Sequence, residues 1–182
     1  FGILRIYGSK SESNRLLILQ TLFPGIEIKN ISDSEDTKIL FNALSSESNK
    51  IDVNHAGTAM RFLTALFSSI PGRSIILTGS NRMQQRPIKI LVDALNSLGA
   101  NINYVNKNGF PPIKIIGREL KDRKVFLEAD VSSQYISALM LIAPSLKNGM
   151  EINLKKQIVS KPHIEMTKDL MNYFGIKVLQ TK

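Results

Sequence analysis

Cysteine is absent from this 182-residue chain, so no disulfide and no thiolate metal site is available to it. Histidine is nearly absent: His55 and His163 are the only two, too few for a histidine-rich metal centre, and no metal is expected. No apolar run approaches the roughly 20 residues that would span a bilayer. No secretory signal opens the sequence. The expectation is therefore a cytoplasmic protein with no membrane partner. Acidic residues are the minority, 15 Asp+Glu against 24 Lys+Arg, leaving a formal charge of +9. That excess points to an anionic partner. The lysines are dispersed over turns and helix faces, and the aromatics do not alternate with them as a base-stacking platform requires. A small anionic ligand is thus favoured over nucleic acid, which stays as the reading from another class. What remains, 43% hydrophobic and 21% charged, suits a globular chain long enough to bury a core.

The stretch from Gly8 to Arg15 concentrates the chemistry. A strand-like run, Ile3–Tyr7, enters it and an apolar run, Leu16–Leu19, leaves it. Between them lie a glycine, three serines, Lys10 and Arg15. Serine and asparagine are favoured N-caps, so a helix is expected to begin near Ser11–Ser13. Its free N–H groups and positive dipole end would lie beside two cations, a ready site for phosphate or carboxylate. Taken alone, the same residues describe an ordinary capped helix with solvated charges.

Similar junctions recur. A first unit, about residues 8–54, reads as a helix over 13–23 stopped by Pro24-Gly25, a strand over 26–31, a capped helix from Ser32–Asp36 through Leu44, and a short strand over 51–53. A second, about 55–117, reads as Gly57-Thr58 leading a helix over 59–68, a strand over 74–77, and a helix over 88–98 with Pro87 at its N1 position. Strands over 101–105 and 113–116 complete it. A third, about 118–182, has a strand over 125–128 and a helix over 135–146 capped by Ser132-Ser133-Gln134. A strand over 150–154 follows, then a helix over 163–174 opened by Ser160-Lys161-Pro162 and a strand over 176–179. Threefold use of one helix–strand order is an internal repeat. The first helix of each unit is apolar nearly all round, which means burial on most sides, whereas the second helices are amphipathic. If the three buried helices run parallel, their positive ends converge with Ser11, Thr58 and Ser132–Gln134.

Five motifs then carry a resemblance: Gly8-Ser9-Lys10-Ser11…Asn14-Arg15, Ala56-Gly57-Thr58-Ala59-Met60-Arg61, Arg82-Met83…Arg86-Pro87, Val131-Ser132-Ser133-Gln134 and Ser160-Lys161-Pro162. In this order they resemble the 5-enolpyruvylshikimate-3-phosphate synthase (3-phosphoshikimate 1-carboxyvinyltransferase) family. The resemblance implies an α/β fold, an enolpyruvyl transferase inside-out α/β barrel domain of three βαβαββ-type units with the third truncated. It implies transfer of the enolpyruvyl group from phosphoenolpyruvate to the 5-hydroxyl of shikimate 3-phosphate, with no cofactor. By this resemblance, shikimate 3-phosphate falls to Lys10, Ser11, Arg15, Ser132, Ser133, Gln134 and Ser160. Phosphoenolpyruvate falls to Lys10, Gly57, Arg86 and Gln134, with Lys10 also assisting proton transfer. His55, Thr58 and His163 are further candidates. Three positions depart from the family's usual residues: Tyr7 stands for a proline, His55 for an asparagine and His163 for a tyrosine. The related UDP-N-acetylglucosamine enolpyruvyl transferase and a non-catalytic interaction domain are the competing readings. Family chains are more than twice as long, so the expectation is an N-terminal domain whose residues 1–7 form a hinge segment. The absent C-terminal domain would then be its partner, and the piece alone would be inactive.

Overall fold

A computed structural model that describes residues 6–128, 132–155 and 160–181 contains six α-helices and six strands among those residues. They are α1 (Lys10–Leu22), α2 (Glu35–Ser45), β1 (Lys50–Asp52), α3 (Gly57–Ser68), β2 (Ser74–Thr78), α4 (Lys89–Ser97), β3 (Asn101–Tyr104), β4 (Ile113–Ile116), β5 (Lys124–Glu128), α5 (Ser133–Ile142), β6 (Glu151–Lys155) and α6 (Lys161–Tyr173). A 3-10 turn, Met83–Gln85, precedes α4, and another, Ala143–Ser145, extends α5.

The helices read as buried are the centre of the molecule. Apart from Thr58, every residue of α3 is buried, and α5 is buried apart from Gln134. Phe62, Leu63 and Leu66 of α3 and Leu139, Leu141 and Ile142 of α5 are at or near zero exposure. Each such side chain contributes about 1.5–3 kcal/mol of burial. Around them lie two sheets. One has the order β1-β2-β4-β3, with β1 parallel to β2 and the other pairings antiparallel. The other is the parallel pair β5-β6, in register from Lys124↔Glu151 to Glu128↔Lys155. Alternation sets their facing: Val125 and Leu127 point inward, Lys124, Phe126 and Glu128 outward. The architecture is mixed α/β with helices inside and sheets outside.

Several elements differ from the sequence reading. Residues 26–31 form no strand; Asn30 takes a left-handed φ of 55°, and the Ile26 carbonyl is capped by the Gln20 side chain instead of a ladder. Residues 176–179 alternate in type but pair with no strand among the described residues. Alternation marks a half-buried extended segment, whereas a strand also needs a neighbour to bond. The cap of α1 is Ser9, whose hydroxyl accepts from the Glu12 N–H, two to four residues before the expected start. Pro87 precedes the N-cap of α4, which is Ile88, and so is not at N1. β1, read as the close of the first unit, pairs with β2 of the second. Helix α1 is not apolar all round: it buries Ser13, Asn14 and Arg15.

Candidate functional site

A cleft of about 190 Å³ lies where four helices begin. Its walls are Ser11 and Arg15 of α1, Thr58 and Phe62 of α3, Ser132, Ser133 and Gln134 at the start of α5, and Ser160 and His163 at the start of α6. A second cleft, about 250 Å³, is walled by Ser69 and Pro71 just past α3 and by Ser145 and Leu146 just past α5. Helices α3 and α5 therefore run in the same direction, with their positive ends together at the first cleft. The Gln134 amide donates to the Thr58 hydroxyl at 3.2 Å, tying the two helix starts to each other.

Arg15 enters the cleft wall from below and is only 3% exposed. Its Nε donates to Thr167 Oγ1 at 2.6 Å, Nη1 to the Ser11 carbonyl at 2.7 Å, and Nη2 to Ser137 Oγ at 3.2 Å and the His163 carbonyl at 3.1 Å. A guanidinium has five N–H donors, so one Nη1 hydrogen is left for the cleft. The ring of Phe62 lies 5.6 Å from its charge centre. All these partners are neutral. Burial lowers the Arg15 pKa to about 10, with Glu12 pulling weakly the other way. A buried cation held only by neutral groups is costly, and an incoming anion would offset that cost.

Local sequence explains the cradle. Ser132 is the N-cap of α5, its hydroxyl accepting from the Gln134 N–H at 3.3 Å, which leaves the O–H free to donate. Ser160 caps α6 without a side-chain bond and holds a left-handed backbone, φ 60° and ψ 43°. For a serine that conformation costs about 1 kcal/mol, and Ser160 lines the cleft. Ser133 is 7% exposed, at the cleft floor.

The other candidates surround this cradle. Gly57, buried, begins α3, and the exposed side chain of Arg86 lies over it: a Cβ on Gly57 would collide with the Arg86 guanidinium. Lys10 and His55 are not in the cleft wall. Lys10 Nζ pairs with Asp36 at 3.3 Å and His55 Nε2 lies 3.6 Å from Glu35, both on the first turn of α2. These exposed pairs are worth at most about 1 kcal/mol, so either side chain can be drawn away. Val131 of the fourth motif lies outside the described residues. No group of three or more metal-ligating side chains occurs among the described residues.

Sequence reasoning missed Phe62, Ser137 and Thr167, which form the cleft wall and the Arg15 cradle, and Arg61, buried at 4% exposure. The signal was present as polar residues at one-turn spacing on buried faces: Ser137 follows Ser133 on the apolar α5, and Thr167 follows His163 on the amphipathic α6 between Ile164 and Met171. Burial lowers the Arg61 pKa; Tyr135 raises it and Arg86 lowers it.

Among the described residues no helix is long and apolar enough to cross a membrane. A profile of the family described as EPSP synthase (3-phosphoshikimate 1-carboxyvinyltransferase) matches residues 42–182. The chain is 52% identical over 173 residues to the 3-phosphoshikimate 1-carboxyvinyltransferase of Bacteroides fragilis strain YCH46, covering 94% of this chain and 42% of that protein. It is 42% identical over 204 residues to the Buchnera aphidicola (subsp. Cinara cedri) protein of the same name, covering 97% and 46%. The solved EPSP synthase of Acinetobacter baumannii superposes with a TM-score of 0.78 at 20% identity, over 99% of this chain and 46% of that one, which is a likeness of fold. The chain thus spans less than half the length of these relatives. It belongs to the EPSP synthase (3-phosphoshikimate 1-carboxyvinyltransferase) family.

Proposed function

We propose that this chain supplies about half of an active site that transfers the enolpyruvyl group of phosphoenolpyruvate to the 5-hydroxyl of shikimate 3-phosphate, giving 5-enolpyruvylshikimate 3-phosphate and phosphate. The observation that carries the reading is Arg15: a buried cation with only neutral partners, at a cleft where helix N-termini meet. Serine hydroxyls from three helices and a guanidinium hydrogen suit a tetrahedral phosphate. Ser11, Ser132, Ser133, Gln134 and Ser160 are assigned to shikimate 3-phosphate together with Arg15. Phosphoenolpyruvate is assigned to the Gly57–Arg86 corner, where the missing side chain lets the guanidinium fork lie against the helix start. Gln134, bonded to Thr58 beside that corner, lies between the two ligands. Lys10 exchanges Asp36 for the phosphoenolpyruvate anion and assists proton transfer. The remaining groups come from the portion that the longer relatives carry, and closure of that portion over the ligands expels water. The product is a precursor of chorismate and the aromatic amino acids.

Calorimetric titration with shikimate 3-phosphate tests the reading. Ser132→Ala and Ser160→Ala should each weaken binding by about tenfold or more, the value of a hydrogen bond to a charged group. Unchanged affinity in both variants would remove the phosphate from this cleft. Preference for a UDP-sugar over shikimate 3-phosphate in competition would move the assignment to the related transferase.

A further inference from the structure

Residues Met83–Pro87 hold Arg86 over the start of α3, yet Arg86 itself is exposed, and its own side chain does not anchor the turn. Met83 N–H donates to Ser80 Oγ and Gln84 Nε2 to the Gly79 carbonyl, and further bonds reach the turn from behind. The Pro87 carbonyl accepts from the Tyr135 hydroxyl at 2.7 Å, and Arg61 Nη2 approaches the same oxygen at 3.5 Å. Arg61 Nη1 donates to the Gly57 carbonyl at 3.1 Å and lies 3.6 Å from Met83 Sδ. Arg61 and Tyr135 thus bind both sides of the corner: the first residue of α3 and both ends of the turn. Tyr135 is 6% exposed and sits one residue after Gln134, so the first turn of α5 reaches Thr58 with one side chain and Pro87 with the next.

The chemistry of the two groups separates them from ordinary core packing. Arg61 is buried among neutral acceptors, and its Nε has no partner in the described residues. A buried donor is left unpaired at a cost of about 1–3 kcal/mol. An alkyl side chain at this position of α3 would be buried at no such cost, so packing does not account for a guanidinium here. Its bonds all go to the corner that carries Arg86.

We propose that Tyr135 and Arg61 are positioning residues: through the Pro87 carbonyl they hold the Met83–Pro87 turn so that Arg86 meets an anion at the start of α3. The inference rests on the reading of Arg86 as a phosphoenolpyruvate contact. Neither residue lines the first cleft.

The test uses the complete enzyme, this chain joined to the portion its relatives carry, in four forms: wild type, Tyr135→Phe, Arg86→Ala and the double variant, with Arg61→Lys alongside. Tyr135→Phe deletes one oxygen and should fold. Its peptide covering 79–88 should exchange amide hydrogens about fivefold faster, the weight of one buried hydrogen bond, while α3 keeps its protection. The KM for phosphoenolpyruvate should rise about fivefold, with kcat and the KM for shikimate 3-phosphate unchanged, because binding is lost equally in ground and transition states. In the Arg86→Ala background Tyr135→Phe should add nothing, as expected for two residues acting through one contact. Arg61→Lys should loosen the same peptide, since an ammonium lacks the planar fork whose two Nη atoms reach the two carbonyls. Unchanged exchange over 79–88 overturns the proposal. So does a fall in kcat with both KM values moving together and a lower Tm, which marks a general structural role. If Arg86→Ala leaves the phosphoenolpyruvate KM at its wild-type value, the site assignment itself falls. Exchange over 79–88 then decides the anchoring by itself, faster for it and unchanged against it.

Discussion

At Arg15, the proposed binding role and folding pull in opposite directions. The groups that cradle the guanidinium are already paired with one another: Ser137 Oγ lies 2.9 Å from Thr167 Oγ1, and Thr167 donates to the His163 carbonyl at 2.9 Å. Arg15→Met should therefore strand no buried partner, fill a similar volume and remove a buried charge. Exchanges of this kind are neutral or stabilising. Urea denaturation should show stability unchanged or raised by about 1 kcal/mol while shikimate 3-phosphate binding disappears; a loss of more than about 2 kcal/mol would refute the account. Tyr104 carries the residue-scale pH prediction. Burial, with Asp93 and Tyr135 adding, raises its pKa to about 12, and its hydroxyl has no partner in the described residues. Between pH 10 and 12 the unfolded chain releases this proton and the folded one keeps it, so the folded state binds more protons and stability falls as pH rises. Arg15 has the opposite sign: above about pH 10 the folded state gives up its proton before the unfolded one, so its share of stability rises with pH. Tyr104→Phe should flatten the alkaline loss of Tm between pH 10 and 12 without lowering Tm at pH 7.

Among the elements, α3 and α5 run from the first cleft to the second, and the backbone just past the C-terminal end of α3 is closely packed. Gly117 follows β4, and a Cβ there would meet the backbone carbonyls of Ile70 and Phe67, which cannot swing aside as a side chain would. Gly117→Ala should cost about 2 kcal/mol by forcing β4 away from the end of α3. Gly25→Ala, at a turn where a Cβ would meet nothing within 4 Å, is the matched control and should stay within about 0.5 kcal/mol of wild type. Denaturant midpoints of the two variants give the comparison directly. The elements also show what periodicity can and cannot convey. The 113–116 strand was legible residue for residue, because Ile113 and Ile115 alternate with Lys114 between two strands that bond it. The 26–31 segment alternates just as well and has no ladder.

For the molecule as a whole, the excess of positive charge acts on arrival more than on residence. A chain at +9 draws an anion towards a cleft whose deepest cation is sealed from solvent. Raising salt should slow association with shikimate 3-phosphate, as the exposed lysines are screened beyond about 10 Å at 0.1 M ionic strength. If the buried Arg15 cradle holds the phosphate as proposed, dissociation should change far less. Stopped-flow measurements at two salt concentrations would separate the rates; a salt effect confined to dissociation would contradict the picture.

Residue order alone determined that α3 and α5 are buried while α2 and α4 are amphipathic, that Ser132 caps α5, and that the motifs resemble the EPSP synthase family, since each of these is written in local spacing or local chemistry. Only the tertiary structure decided that α1, α3, α5 and α6 begin at one cleft, that Arg15 is buried among neutral groups, that Lys10 and His55 are held by α2 outside the cleft wall, and that Tyr135 reaches Pro87. These are meetings between residues far apart in the chain, and no local pattern encodes them. Their geometry is set by how the buried faces of α3 and α5 pack, and packing is a property of the whole core.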